Sequence, residues 1–331
     1  MLPSRDGAKA GTPCVVFRTF SGRVTLVSFL AAILAGCSGG VLEPKGPVGG
    51  ANALILLDAV CIMCVIGVPT MIAVLVFAWW YRADNTRARR RPDFVHSGRI
   101  ELLVWSIPIL VIMFLGGVIW IGAHELDPFH PISALASTNP QEKPNPQPNT
   151  PPQSKTLEVQ VVSLDWKWLF IYPDQGIASV NEIVVPVGTP VHFSITSASV
   201  MNMFFVPQLG SMIAAMNGMV TQLHLQADHP GDYYGLSSQY SGDGFSGMHF
   251  LMRAVPADEF ARWVATTKAE GPTLDRAGYE QLAQQSQDVK PFTYRAIDSN
   301  IFHAVTTLEI APGPGPGPSV APPQVRPRGA D

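Results

Sequence analysis

No cysteine occurs after residue 64; the four in the 331-residue chain are Cys14, Cys37, Cys61 and Cys64. Everything downstream is built without disulfides and without thiolate metal ligands. Charge is scarce too. Only 14% of residues are Asp, Glu, Lys or Arg, against the ~25% usual in soluble domains. Meanwhile 47% are apolar, and the imbalance points to sequence buried in lipid. The net charge of −3 discriminates little. No strongly basic stretch outside the helix flanks suggests a nucleic-acid partner. There is no βαβ rhythm and no phosphate-binding glycine loop, so nothing supports a nucleotide-binding α/β fold.

The N-terminus reads as an export signal. Arg18 and Arg23 precede the apolar run Val24 to Ala35, which has the length of a signal h-region rather than a membrane span. It ends in Leu34-Ala35-Gly36-Cys37, the pattern cut by the lipoprotein signal peptidase. Residues 1–36 are then a signal peptide and Cys37 the diacylated first residue of the mature chain. Cys14 leaves with the signal.

Two longer runs, Ala59 to Trp80 and Leu102 to Ala123, contain no charged residue. At ~1.5 Å per residue each crosses a ~30 Å hydrocarbon core, so spans are expected at about 59–81 and 102–123 within a unit of residues 37–126. Trp79, Trp80, Tyr81, Trp105 and Trp120 suit the interfaces. Between the runs lie Arg82, Arg87, Arg89, Arg90, Arg91 and Arg99, against Asp84, Asp93 and Glu101. The positive-inside rule makes this loop cytoplasmic and puts both flanks outside, which agrees with export of Cys37. Pro69 and Pro108 are expected to kink the spans. Cys61 and Cys64 have a redox spacing, but in an apolar helix they read as packing residues.

Residues 127–155 are rich in Pro, Asn and Gln and read as an extended spacer. Alternation of period two follows within 156–256. Leu157, Val159 and Val161 alternate with polar residues, as do Val191, Phe193 and Ile195, and then Thr221, Leu223 and Leu225. Short strands between turns such as Pro186-Val187-Gly188 argue for an all-β Greek-key sandwich. His192, His224 and His249 are expected to be exposed. Residues 257–310 carry a short helical extension, and 311–331 form a Pro/Gly tail that cannot bury a core.

This order of parts resembles subunit II of the haem–copper respiratory oxidases: a membrane α-hairpin of two transmembrane helices followed by a cupredoxin-like sandwich. The resemblance includes Val104-Trp105-Ser106-Ile107-Pro108, Asp165-Trp166-Lys167-Trp168 and the stretch Met201 to Met248. The lipoprotein signal and the C-terminal extension make it most similar to the quinol-oxidising branch, of the cytochrome bo type. The branch that oxidises cytochrome c carries a dinuclear copper centre in a Cys-x-Glu-x-Cys-x3-His-x2-Met loop, with a further histidine upstream. At the matching positions this chain has Ser237, Gln239, Ser241, Phe245 and Met248, with Asn202 upstream; only the methionine remains.

The resemblance therefore implies a subunit of a proton-pumping ubiquinol oxidase in the cytoplasmic membrane, with its β domain in the periplasm. It implies no cofactor on this chain, no metal site and no cytochrome c partner. Haem B, haem O or A, copper B and ubiquinol are expected in subunit I, with subunits III and IV and membrane lipid as further partners. No residue here is expected to be catalytic. Trp166 is expected to pack the β domain. Glu101, at the cytoplasmic start of the second helix, lies where the family places a glutamate near a proton-channel mouth. Two rivals are a copper-binding subunit serving cytochrome c, opposed by the missing cysteines, and a free-standing cupredoxin-like lipoprotein, opposed by two spans where one lipid would anchor.

Overall fold

The computed structural model describes residues 40–89, 93–129, 132, 156–313 and 315. Cys14, Cys37, Arg90, Arg91 and nearly all of the spacer and tail lie outside the described residues. Two long apolar helices lead the chain, α1 (Pro47–Trp80) and α2 (Gly98–Glu125). Both are long and apolar enough to cross a membrane. Each continues through its internal proline, Pro69 in α1 and Pro108 in α2. They meet near the outer end, where Ile55 packs against Gly122.

Helix α1 starts well before its charge-free run because its first turns serve the β domain, not the lipid. Val48, Gly49 and Ala53 are its buried residues. The Lys45 N–H donates to the Gln208 carbonyl at 2.8 Å, Gly49 N–H to Leu209 at 2.9 Å, and Asp228 N–H back to the Lys45 carbonyl at 2.9 Å. A side chain at Gly46 would collide with the Gln226 carbonyl, so this approach of two backbones requires glycine.

The β domain comprises β1 (Leu157–Leu164), β2 (Lys167–Tyr172), β3 (Ile177–Val180), β4 (Glu182–Pro186), β5 (Val191–Ser197), β6 (Asn202–Phe205), β7 (Ile213–Ala215), β8 (Thr221–Leu225), β9 (Gly231–Ser237) and β10 (His249–Val255). Helix α3 (Ala257–Ala269), β11 (Thr273–Leu274), α4 (Arg276–Leu282), β12 (Phe292–Tyr294), β13 (Ala296–Ile297) and α5 (Ile301–Thr306) follow. One sheet has the order β12-β3-β2-β1-β5-β8 and the other β4-β10-β9-β6-β7. The alternating apolar residues of both sheets meet between them, around Trp168, Phe170, Phe193, Phe204 and Phe250, whose rings pack mainly edge to face.

Strands β1 to β3 are buried on their outer face as well. Val162, Leu164, Leu169, Ile171, Ala178 and Val180 form a second core there with Leu274, Tyr279, Leu282, Tyr294, Ile301, Phe302 and Val305 of the C-terminal extension. The extension also adds strand β12, which pairs antiparallel with β3. The C-terminal segment is thus a third layer, helical in part and joined to the sheet edge.

Candidate functional site

The residues at the copper-ligand positions converge at one end of the sandwich. Strand β6 brings Asn202 beside the end of β9, where the Ser237 hydroxyl donates to Asn202 Oδ1 at 3.0 Å and lies 3.3 Å from the Gln239 carbonyl. Ser241 Oγ faces Met248 Sδ at 3.9 Å, and Met248 is 2% exposed. Phe245 turns its ring against the core and meets Tyr240 edge-on at 5.6 Å. Asn202, Ser237 and Ser241 are buried too. Ser237 and Asn202 pair with each other here, and the buried thioether accepts from the Ser241 hydroxyl.

Trp166 closes this end. Its Nε1–H donates to the Ser241 carbonyl at 3.0 Å, and its ring lies so close over Gly244 that any side chain there would strike it. Next to it, Lys167 is 1% exposed. Its ammonium group meets three acceptors, the Asp165 carbonyl at 3.2 Å, the Gln284 carbonyl at 2.7 Å and Ser286 Oγ at 2.5 Å, matching its three N–H bonds. Burial pulls its pKa down to about 8, opposed by the Asp165 carboxylate. That carboxylate in turn accepts from Ser199 Oγ and from Gln285 Nε2. The loop between α4 and β12 is thereby tied over the Asp165-Trp166-Lys167 turn. The sequence marks Trp166 as a packing residue of the β domain; the partners in 284–286 carry no sequence signal.

Glu101 lies in the first turn of α2, half exposed, with its carboxylate 3.1 Å from His96 Nδ1. Among the described residues, His96 is the group its carboxylate contacts as a salt bridge. Cys61 and Cys64 are free thiols on the exposed surface of α1. Cys37 lies outside the described residues. His249 is exposed and stacks on Tyr234. His192 and His224 differ from expectation. Both are partly buried, because the backbone that leaves α2 passes over them: the His224 Nδ1–H donates to the Pro128 carbonyl at 3.1 Å. Among the described residues, no group of three or more His, Cys, Asp or Glu side chains is arranged to hold a metal ion.

Residues 175–255 match the family described as cytochrome c oxidase subunit II, periplasmic domain, and 268–308 match the COX aromatic rich motif. Ubiquinol oxidase subunit 2 of Acetobacter aceti is 47% identical over 277 residues, 83% of this chain and 84% of that protein. Cytochrome bo(3) ubiquinol oxidase subunit 2 of Pseudomonas aeruginosa is 43% identical over 280 residues, 84% of this chain and 79% of that one. The chain belongs to the ubiquinol oxidase subunit 2 family. Among solved structures, the periplasmic domain of subunit II of cytochrome oxidase from Bradyrhizobium japonicum is 30% identical, covering 36% of this chain and 98% of that one with a TM-score of 0.34. In this chain, the aromatic rich motif runs from the end of α3 through α5. It therefore supplies almost the whole extension side of the second core.

Proposed function

We propose that the chain is the copper-free second subunit of a proton-pumping quinol:oxygen oxidoreductase, bracing the complex and forming its periplasmic face. The observation that carries this reading is the donor set at the end of the sandwich. A mixed-valence copper pair needs soft bridging thiolates and imidazoles, whereas Ser237, Ser241, Asn202 and Phe245 offer hydroxyls, an amide and a hydrocarbon ring. The residues do not fit copper, and no electron step runs through this domain. Electrons then enter from membrane quinol at subunit I, which holds the haems and copper B, with subunits III and IV completing the assembly.

Lipidation of Cys37 is part of this reading. Helix α1 begins at Pro47, twelve residues before the charge-free run at Ala59, about 18 Å above the membrane at ~1.5 Å per residue. The pattern Leu34-Ala35-Gly36-Cys37 at the end of the apolar run supports the lipidation, which would add a lipid anchor to the two helices.

The test is to purify the complex through a tag on this chain and follow oxygen uptake with a ubiquinol analogue and with reduced cytochrome c. Turnover with quinol alone is expected, in a preparation containing haem. A haem-free preparation without oxygen uptake would sink the reading.

For Glu101, we infer a role in collecting protons at the cytoplasmic mouth of a channel in subunit I. Its half-exposed carboxylate at an interfacial helix start, in contact with His96, supports this. Glu101→Gln is expected to lower quinol turnover several-fold, with Glu101→Asp restoring most of it. Full turnover and pumping in Glu101→Gln would remove the residue from the mechanism.

A further inference from the structure

Where the membrane hairpin meets the β domain, three neighbouring strands each contribute one polar side chain to a connected cluster. Glu158 on β1 and His192 on β5 are register partners, as are His192 and His224 on β8. His192 Nδ1 lies 2.5 Å from Glu158 Oε2, and the two imidazoles stack with ring centres 4.6 Å apart at 25°. His224 Nδ1 then reaches the carbonyl of Pro128, two residues past Leu126, the C-terminal cap of α2. A chain of contacts thus runs from the sheet to the backbone emerging from the second span.

We propose that this cluster is a pH-sensitive clamp, closed near neutrality and released in acid, that sets how firmly the periplasmic domain is held to the membrane hairpin. A carboxylate and a carbonyl can only accept, so both Nδ1 atoms carry protons and each neutral ring keeps a bare Nε2. Protonation there would turn the stack into two cations in contact. His224 meets a carbonyl and the other imidazole in a partly desolvated setting.

Burial is the main reason the His224 pKa lies below its ordinary value; the neighbouring His192 adds to the effect, while the Pro128 carbonyl and Glu158 oppose it. A ring freed into water regains the ordinary value, about 6.5. Closure therefore contributes its full stability above that value and loses it as pH falls through the depressed one. Among the described residues, the charged or titratable groups facing the stack are Glu158 from β1, His192 from β5 and His224 from β8. Asp127 of the connector is occupied locally, its Oδ1 accepting the Phe129 N–H at 3.0 Å. By the positive-inside argument the clamp lies on the outer side of the membrane, so it responds to protons of that compartment.

The test uses the whole oxidase complex with Phe129, which is 51% exposed, replaced by p-acetylphenylalanine carrying a ketone-linked nitroxide. The label's mobile fraction is expected to rise several-fold, reversibly, between about pH 7.5 and about pH 5, with a midpoint below ~6.5. In His224→Gln, whose amide can still donate to Pro128 but cannot take up a proton, the titration should vanish. A label indifferent to pH in the unmodified complex, or an unchanged titration in His224→Gln, overturns the proposal.

Discussion

Ending the chain after Glu270 is expected to abolish folding of the β domain rather than trim it. The removed segment contributes Leu274, Tyr279, Leu282, Tyr294, Ile301, Phe302 and Val305 to the second core, all at most 9% exposed. At about 1.5–3 kcal/mol for each large apolar side chain buried, discounted for a compact unfolded state, the loss is on the order of 10 kcal/mol. A domain's whole stability is ~5–15 kcal/mol. The cut also leaves the outer face of β1 to β3 bare, strips the partner strand from β3 and removes two of the three acceptors of the buried Lys167. Expression of the truncated chain should yield degraded or aggregated protein and no assembled complex. A graded check is Leu274→Ala, at a fully buried site, which should cost about 2–5 kcal/mol in thermal or denaturant melts of the full chain. A truncated chain that melts like the intact one would show that the extension merely decorates a finished sandwich.

That layer was only partly legible, for a definite reason. The strand Lys167-Trp168-Leu169-Phe170-Ile171-Tyr172 does not alternate; every residue in it is buried. A continuous apolar run signals a strand covered on both faces, but alternation in β1, β5 and β8 directs attention to a two-layer sandwich. The covering layer is hard to read because its apolar residues are spread over two short helices and three short strands, too brief for either period to register. The membrane spans were legible because a charge-free run long enough to cross a bilayer has few alternatives. The start of α1 was not, since residues 47–58 are ordered by the carbonyls of Gln208 and Leu209, remote in sequence.

The clamp histidines escaped for a related reason. His192 and His224 alternate with apolar neighbours as solvent-facing residues do, and only the return of the chain at Pro128 covers them. Glu158, His192 and His224 become neighbours through a parallel and an antiparallel pairing whose register no local pattern specifies. The copper-ligand positions were legible as a loop spacing, while the hydrogen bond between Ser237 and Asn202 depends on β6 lying beside β9.

Restoring the donors should restore the metal. The substitutions Asn202→His, Ser237→Cys, Ser241→Cys and Phe245→His, made together, leave Met248 in place and keep the Gln239 carbonyl where the family's loop supplies a backbone oxygen. The present contacts favour the outcome. Position 237 already touches 202 at 3.0 Å, and position 241 already faces the Met248 sulfur at 3.9 Å. Trp166 pins the loop through the Ser241 carbonyl, a bond that the new side chains do not disturb. The main cost is Asn202→His at a buried site, whereas the Phe245 ring is only partly buried and the serine-to-cysteine changes add little volume. Thiolate sulfurs bridging two soft ions favour copper over the harder divalent metals. The purified quadruple variant should take up about two copper ions per chain and gain a strong visible charge-transfer band, which the parent chain lacks under the same loading. Returning either cysteine to serine should remove the band, since a single thiolate cannot hold the bridged pair. A variant that folds and still binds no copper, or binds one ion without the band, would mean that this end of the sandwich has repacked too far to be a vacated copper site.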